Sequence, residues 1–204
     1  YANKTVYDVL HYQTRMETDV NQHKVNAYYE GRFNDKLTIS FNADWLTGSS
    51  ENRMFANENS EMDDDRLVTT SNRTRNRLYA VKLVMTYPIA VGELKWGGEY
   101  SYVHRTDRFD NPQSILPATD SKIREQNAAA FISYALTWQK LSTEIGLRYE
   151  HVDFDYYDKG IFLPEQSRLY DNVFPNVALS MPIGKTQMSL SYTAKTSRPS
   201  FFQL

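Results

Sequence analysis

Thr186-Gln-Met-Ser-Leu-Ser-Tyr-Thr-Ala-Lys-Thr-Ser-Arg-Pro-Ser-Phe-Phe-Gln-Leu204 decides how the chain is read. Met188, Leu190, Tyr192 and Ala194 fall on one side of an extended backbone. Gln187, Ser189, Ser191, Thr193 and Lys195 fall on the other. Successive side chains of a strand point to opposite faces, so this stretch has one apolar face and one wet face. No glycine or proline interrupts it before Pro199.

The same pattern returns along most of the chain. Val25, Ala27, Tyr29, Gly31 and Phe33 alternate with Lys24, Asn26, Tyr28, Glu30 and Arg32. After a turn at Asn34-Asp35-Lys36, Leu37, Ile39, Phe41, Ala43 and Trp45 alternate with Thr38, Ser40, Asn42 and Asp44. Tyr79, Val81, Leu83, Met85 and Tyr87 form the next apolar set, followed by a turn around Pro88 to Gly92. Leu94, Trp96, Gly98, Tyr100 and Tyr102 come next. Ala130, Ile132, Tyr134, Leu136 and Trp138 lead through a turn at Gln139-Lys140-Leu141 to Ile145, Leu147 and Tyr149. Val173, Val177, Leu179 and Met181 then run through a Gly184-Lys185 turn into the opening stretch. Residues 1–19 alternate only patchily (Val6, Asp8, Leu10, Tyr12) and are expected to be a ragged strand or a loop end.

This period-2 repeat predicts an all-β protein of about eight long antiparallel strands in four hairpins. Polar segments without a period, residues 48–77, 106–126 and 158–171, are expected to be long loops alternating with the tight turns.

Composition narrows the class. The chain has 204 residues and a formal charge of −2, giving no signal for nucleic acid or acidic substrates. It has no cysteine, and it carries 15 Tyr, 10 Phe and 3 Trp. No run of eighteen apolar residues exists, so no transmembrane helix is expected. A barrel strand needs only about ten residues, every second one apolar. Beginning at Tyr1 and ending at Leu204 after Phe201-Phe202, the chain reads as a piece of something longer or a processed product.

Both a soluble sandwich and a membrane barrel alternate apolar and polar residues. Sandwich strands are nearer five or six residues, whereas these run to ten or more. Ten residues tilted near 45° rise about 23 Å, close to the apolar band of an outer membrane. Tyr79 and Tyr87 would stand about 19 Å apart along the membrane normal, which suits two interfacial girdles. Lys24, Glu30, Arg32, Lys82, Lys95, Glu99, Glu144, Arg148 and Glu150 would line the other, watery side. Tight turns at one end and long connections at the other fit an antiparallel transmembrane β-barrel.

The segments Ser189 to Leu204 with Arg198-Pro199, Gly146-Leu-Arg-Tyr-Glu150 and Leu94-Lys-Trp-Gly-Gly-Glu-Tyr-Ser-Tyr102 resemble barrels of TonB-dependent outer-membrane receptors. The resemblance covers the chain from about residue 20. Such receptors have about 22 strands, so eight are roughly a third of one barrel. It implies that residues 1–204 are a partial outer-membrane barrel domain, without the plug, in a Gram-negative outer membrane. It further implies import of a scarce nutrient, a siderophore, vitamin or glycan. The implied partners are outer-membrane lipid, a small-molecule or glycan ligand, and the TonB energy-transducing protein acting through the plug; nucleic acid is not expected. Two alternatives stay open: a self-contained small barrel with a structural or adhesion role, and a soluble carbohydrate-binding β-sandwich.

No catalytic, cofactor or metal residues are expected, and the substrate-binding residues are not legible. Asp153, Asp155 and Asp158, with Asp63 to Asp65, offer hard oxygen ligands, but without EF-hand spacing they read as a solvated acidic rim. His11, His23, His104 and His151 are scattered, with no zinc spacing. His151, Asp153 and a serine would sketch a hydrolytic triad, yet no GxSxG elbow exists and no enzyme is expected. Asn52, Phe55, Asn57, Phe109, Asn111, Phe162 and Tyr170 could stack on and hydrogen-bond a ligand; ordinary loop residues read the same. Arg198-Pro199 suits a strand leaving the membrane, since proline has no N–H for a ladder.

Overall fold

The computed structural model describes residues 10–34, 36–62 and 64–196. Eight long strands and one short one form a single antiparallel sheet: β1 (Leu10–Phe33), β2 (Leu37–Ser60), β3 (Arg66–Ile89), β4 (Gly92–Asp110), β5 (Thr119–Trp138), β6 (Leu141–Asp158), β7 (Ile161–Phe162), β8 (Arg168–Ile183) and β9 (Thr186–Thr193). Long neighbours in sequence are neighbours in space, and β7 pairs only with β6. The path runs from β1 to β9 without β1 pairing β9, so among the described residues the sheet is open at both edges.

Register explains why the alternation matters. Trp45 lies between Val25 and Tyr79, Phe41 between Tyr29 and Leu83, and Ile39 between Gly31 and Met85. Further on, Trp96 stands between Met85 and Ile132, and Leu147 between Ile132 and Pro175. A slip of one residue would turn any strand's apolar set to the opposite face. No strand slips, and the apolar face is continuous from β1 to β9.

Among the described residues nothing covers that face. Val81 keeps 42% of its surface exposed and Leu83 37%, although each lies mid-sheet. The exposed surface totals 14937 Å² for a chain of 23.8 kDa, whereas a compact soluble protein of that mass shows about 9,900 Å². A β-sandwich would seal these side chains between two layers; this single layer does not. Burial among the described residues is confined to a few positions on the polar side and beyond the apolar band, such as Val103, Ile123 and Val152.

The tight turns between long strands fall at one end, while the Lys159-Gly160 turn into the short β7 lies at the other. Ala90-Val91, Gln139-Lys140 and Gly184-Lys185 join strands directly, with Ala90, Gln139 and Gly184 at positive φ. The Asn34 to Lys36 turn also opens on a left-handed residue, Asn34, and Lys36 N–H donates to the Phe33 carbonyl. Thus Pro88 and Ile89 belong to β3 and Leu141 to β6, where the sequence placed them in turns.

The largest departure lies at the other end. Residues 48–77 were expected as one long loop, yet β2 runs on to Ser60 and β3 starts at Arg66. Likewise β4 reaches Asp110 and β5 begins at Thr119, and β8 begins at Arg168. The strands outlast their hydrophobic pattern because the hydrogen-bond ladder needs only backbone. Apolar alternation marks a strand only where one face leaves water, and past the membrane both faces are wet. Polar cross-strand pairs take over there. Glu51 binds Arg73 across the ladder at 2.6 Å and Arg53 on its own strand at 2.7 Å, and Arg66 pairs with Glu58 at 2.5 Å. Thr74 donates to Asp107 at 2.6 Å.

Candidate functional site: the polar wall

Side chains opposite the apolar set form a second continuous face. Lys82 on β3, Glu99 on β4 and Arg148 on β6 all point to it, because each flanks an outward residue of its strand. Lys82 Nζ lies 2.7 Å from Glu99 Oε1, and Arg148 Nη1 lies 2.9 Å from Glu99 Oε2. Arg148 Nη2 reaches Glu150 Oε2 at 3.3 Å. One carboxylate thus bridges two cations from strands on either side of it, across β5. That bridge is open over β5 because Ala129, the residue paired with Glu99, ends at a methyl group.

Phe131 reaches into the same cluster, with Lys82 Nζ 5.9 Å from its ring centre. Gly97, its partner on β4, makes room for the ring: a Cβ there would stand 2.8 Å from Phe131 Cζ and 2.1 Å from the Leu83 carbonyl oxygen. A recess of about 530 Å³ opens over this cluster, lined by Glu30 of β1, Ser40 of β2, Lys82, Lys95, Glu99 and Arg148. Residues of β1 and β6 share one hollow only if the polar face curls inward. Further along, Asn26 donates from Nδ2 to Asn42 Oδ1 at 2.6 Å and to Asp44 Oδ1 at 2.9 Å. Gln187 Nε2 donates to Ser180 Oγ at 2.7 Å near the last edge. This is a hydrogen-bonding wall with fixed charges of both signs. It suits a hydrated lumen or a polar occupant.

The residues singled out from sequence fare unevenly. Asp153 and Asp155 lie on β6 and Asp158 at its end; Asp65 accepts from Asn59 Nδ2 at 3.1 Å, and Asp63 lies outside the described residues. Among the described residues no three acids or histidines stand close enough to share a metal ion. The histidines fall on β1 (His11, His23), β4 (His104) and β6 (His151). His151 meets Asp171 rather than Asp153: Nδ1 is 2.8 Å from Asp171 Oδ1, since register sets those two residues opposite each other. The other group on that carboxylate is the Tyr149 hydroxyl, which donates to Asp171. A hydrolytic triad would need a serine in that place.

Of the loop residues proposed to meet a ligand, Asn52, Phe55 and Asn57 lie in β2, Phe109 in β4, Phe162 in β7 and Tyr170 in β8. Asn111 is 4% exposed and spends its amide on the fold. It donates to the Thr69 carbonyl at 2.7 Å and accepts from Ile115 N–H at 2.6 Å and Leu116 N–H at 3.1 Å, pinning the β4–β5 connection to β3. Arg198-Pro199 falls outside the described residues. The bridge through Glu99 was missed as a unit, although its members were read as facing the same side. Only register reveals that Glu99 and Arg148, far apart in sequence, are two strands apart in space.

An open sheet with a greasy convex face and a charged, inward-curling one defines a segment of a membrane-spanning β-barrel. The model of the outer membrane protein beta-barrel family matches residues 31–204, and the chain belongs to that family. This places it in the outer membrane of a Gram-negative bacterium. No curated protein sequence matches it significantly. Among solved structures it is similar to the ferric-catecholate import receptor Fiu of E. coli K12 in its open form, with a TM-score of 0.61 and 12% identity over 89% of this chain and 36% of that one. It is also similar to the unliganded ferric citrate transporter FecA, with a TM-score of 0.60 and 10% identity over 84% and 27%. For BauA, the ferric preacinetobactin receptor of Acinetobacter baumannii, the TM-score is 0.57 and identity 13% over 82% and 29%. The chain spans about a third of these structures. At such identities the likeness is one of fold, and the folds it resembles are receptor and transporter barrels.

Proposed function

We propose that these strands are one arc of a TonB-dependent receptor barrel that imports a scarce nutrient, a siderophore, vitamin or glycan, across the outer membrane. The observation that carries this reading is the pair of unpaired edges on a sheet whose two faces are otherwise complete. Free strand edges are templates for further pairing, and a barrel abolishes them by adding strands. A larger barrel supplies partners for β1 and β9 and encloses a lumen wide enough for a plug. Fold similarity to parts of much longer receptors supports the same conclusion.

In this reading the tight turns face the periplasm and the tall strand ends face the exterior. The Glu99 bridge lines the lumen, where an energy-transducing protein would act through a plug rather than on these strands. The test is uptake by cells carrying or lacking the complete gene, offered ferric siderophores, a corrinoid or oligosaccharides in turn. Uptake of one class should disappear on deletion and on collapse of the proton gradient. Uptake that survives the uncoupler would overturn the reading.

A further inference from the structure

The convex face carries more than grease. One row beyond the girdle pair Tyr79 and Tyr102, whose ring centres are 6.4 Å apart, register sets Arg77 beside His104 and His104 beside Arg124. One row further out, Arg75 stands beside Thr106 and Thr106 beside Lys122. All of these share the face of Tyr79 and Tyr102, being separated from them by even steps along their strands. Each row lies about 5 Å further from the membrane at a tilt near 45°. Five nitrogen-bearing side chains therefore occupy three adjacent strands at the height where apolar lipid gives way to head groups.

We propose that this patch binds the phosphorylated sugar head group of an acylated glycolipid in the outer leaflet, with Arg75, Arg77 and Arg124 contacting phosphate. Among the described residues none of Arg75, Arg77, Lys122 and Arg124 forms an ion pair, although the rows beyond them are paired, as with Arg73 and Glu51. The acids on this face border the patch: Asp155 stands opposite Arg124 with Asp153 one row below it, Asp120 lies one row above Lys122, and Glu51 one row above Arg75. Like charges so close repel unless an anion joins them. Two polar atoms already buried there, His104 Nε2 and Arg124 Nε, have no hydrogen-bond partner. A recess of about 310 Å³ opens beside them, lined by His23, Thr47, Arg75, Arg77, His104 and Thr106.

Tyr157 holds the far side in place, with Lys122 Nζ 5.0 Å and Arg124 Cζ 5.4 Å from its ring centre. Guanidinium groups match phosphate oxygens in pairs, and clustered cations at a membrane surface select anionic head groups. The face argues for lipid over a free anion: acyl chains would lie on Tyr79, Val81 and Leu83 directly below. This inference rests on the orientation proposed above and not on the import reading.

The test uses the complete protein carrying these strands, purified in a neutral detergent. An acylated glucosamine disaccharide bisphosphate in mixed micelles should bind it, the dephosphorylated lipid should bind at least tenfold more weakly, and inorganic phosphate should not compete. The variant Arg75→Gln/Arg77→Gln/Arg124→Gln should lose at least tenfold in affinity. Lys36→Gln/Lys140→Gln/Lys185→Gln, which removes equal charge from the turn end, should lose nothing. Equal binding of both lipids by the native protein, competition by free phosphate, or an unchanged Arg variant would each overturn the proposal. The lipid comparison needs no variant, so a variant that misfolds does not rescue it. Met62→Cys on intact cells reports orientation separately. Failure to react with an impermeant maleimide sinks the orientation and the proposal together, whereas reaction without phosphate discrimination sinks the proposal alone.

Discussion

Leu83 and Lys82 are adjacent in sequence and live in different solvents. Leu83 stands between Phe41 and Gly98 at mid-depth on the lipid side, while Lys82 turns to Glu99 on the other. Leu83→Arg is expected to cost about 2–4 kcal/mol and to deplete folded protein from the outer membrane, seen as loss of the heat-modifiable band on gels. Lys82→Leu should still assemble, since Glu99 keeps Arg148. The reverse ranking would remove the assignment of faces. Gly97 provides a second residue-scale test. A Cβ there would sit 2.1 Å from the Leu83 carbonyl oxygen, so backbone must move. Gly97→Ala should destabilise by about 1–3 kcal/mol in urea refolding, an overpacking penalty. Neither glycine's partner nor the bridge through Glu99 was legible in the sequence, because both depend on which residue of a neighbouring strand lies opposite.

At the scale of elements, the hairpin of β2 and β3 shows what alternation can and cannot disclose. Its membrane half was plain from Leu37 to Trp45 and from Tyr79 to Tyr87. Its outer half was read as loop, since both faces meet water there and hydrophobic period vanishes. A fainter mark was present: Arg73, Arg75 and Arg77 recur at every second position, which is strand spacing written in charge. Glu51 makes the outer half testable. Hydrogen bonds from Arg73 and then Arg53 hold its carboxyl below the usual 4.5. A depressed carboxylate stabilises the folded form fully above its unfolded value, and this contribution is lost as pH falls through the lower folded value. Amide exchange in the outer rungs of β2–β3 should therefore accelerate as pH drops below about 4.5, after correction for intrinsic rates. Glu51→Gln should flatten that dependence and leave the membrane rungs unaffected. Identical profiles in the two proteins would show that the ion pairs do not hold the hairpin.

For the whole molecule the decisive feature is that β1 and β9 do not meet. The chain contains no cysteine, so engineered pairs report on closure without background. Cysteines stepped along β1 from Ala27 and along β9 from Leu190, which share a face, should give no intramolecular disulfide in the assembled protein. A pair that cross-links quantitatively in membranes would instead mean an eight-strand barrel closed on itself. Fold class and sidedness were legible because lipid imposes one rule on every strand. How many strands complete the ring was not, since an edge residue such as Val20 or Leu190 looks the same in sequence whether its neighbour belongs to this sheet or to more distant chain.

Because β2 runs on for fifteen residues past Trp45, it stands about 35 Å proud of the girdle, as a stiff ladder instead of a drooping loop. Whatever approaches from the medium meets a woven parapet in which adjoining side chains belong to different strands. Antibodies raised against the intact cell should consequently recognise assembled epitopes and fall silent on blots of denatured protein, and short synthetic peptides copied from residues 48–77 should make poor vaccines.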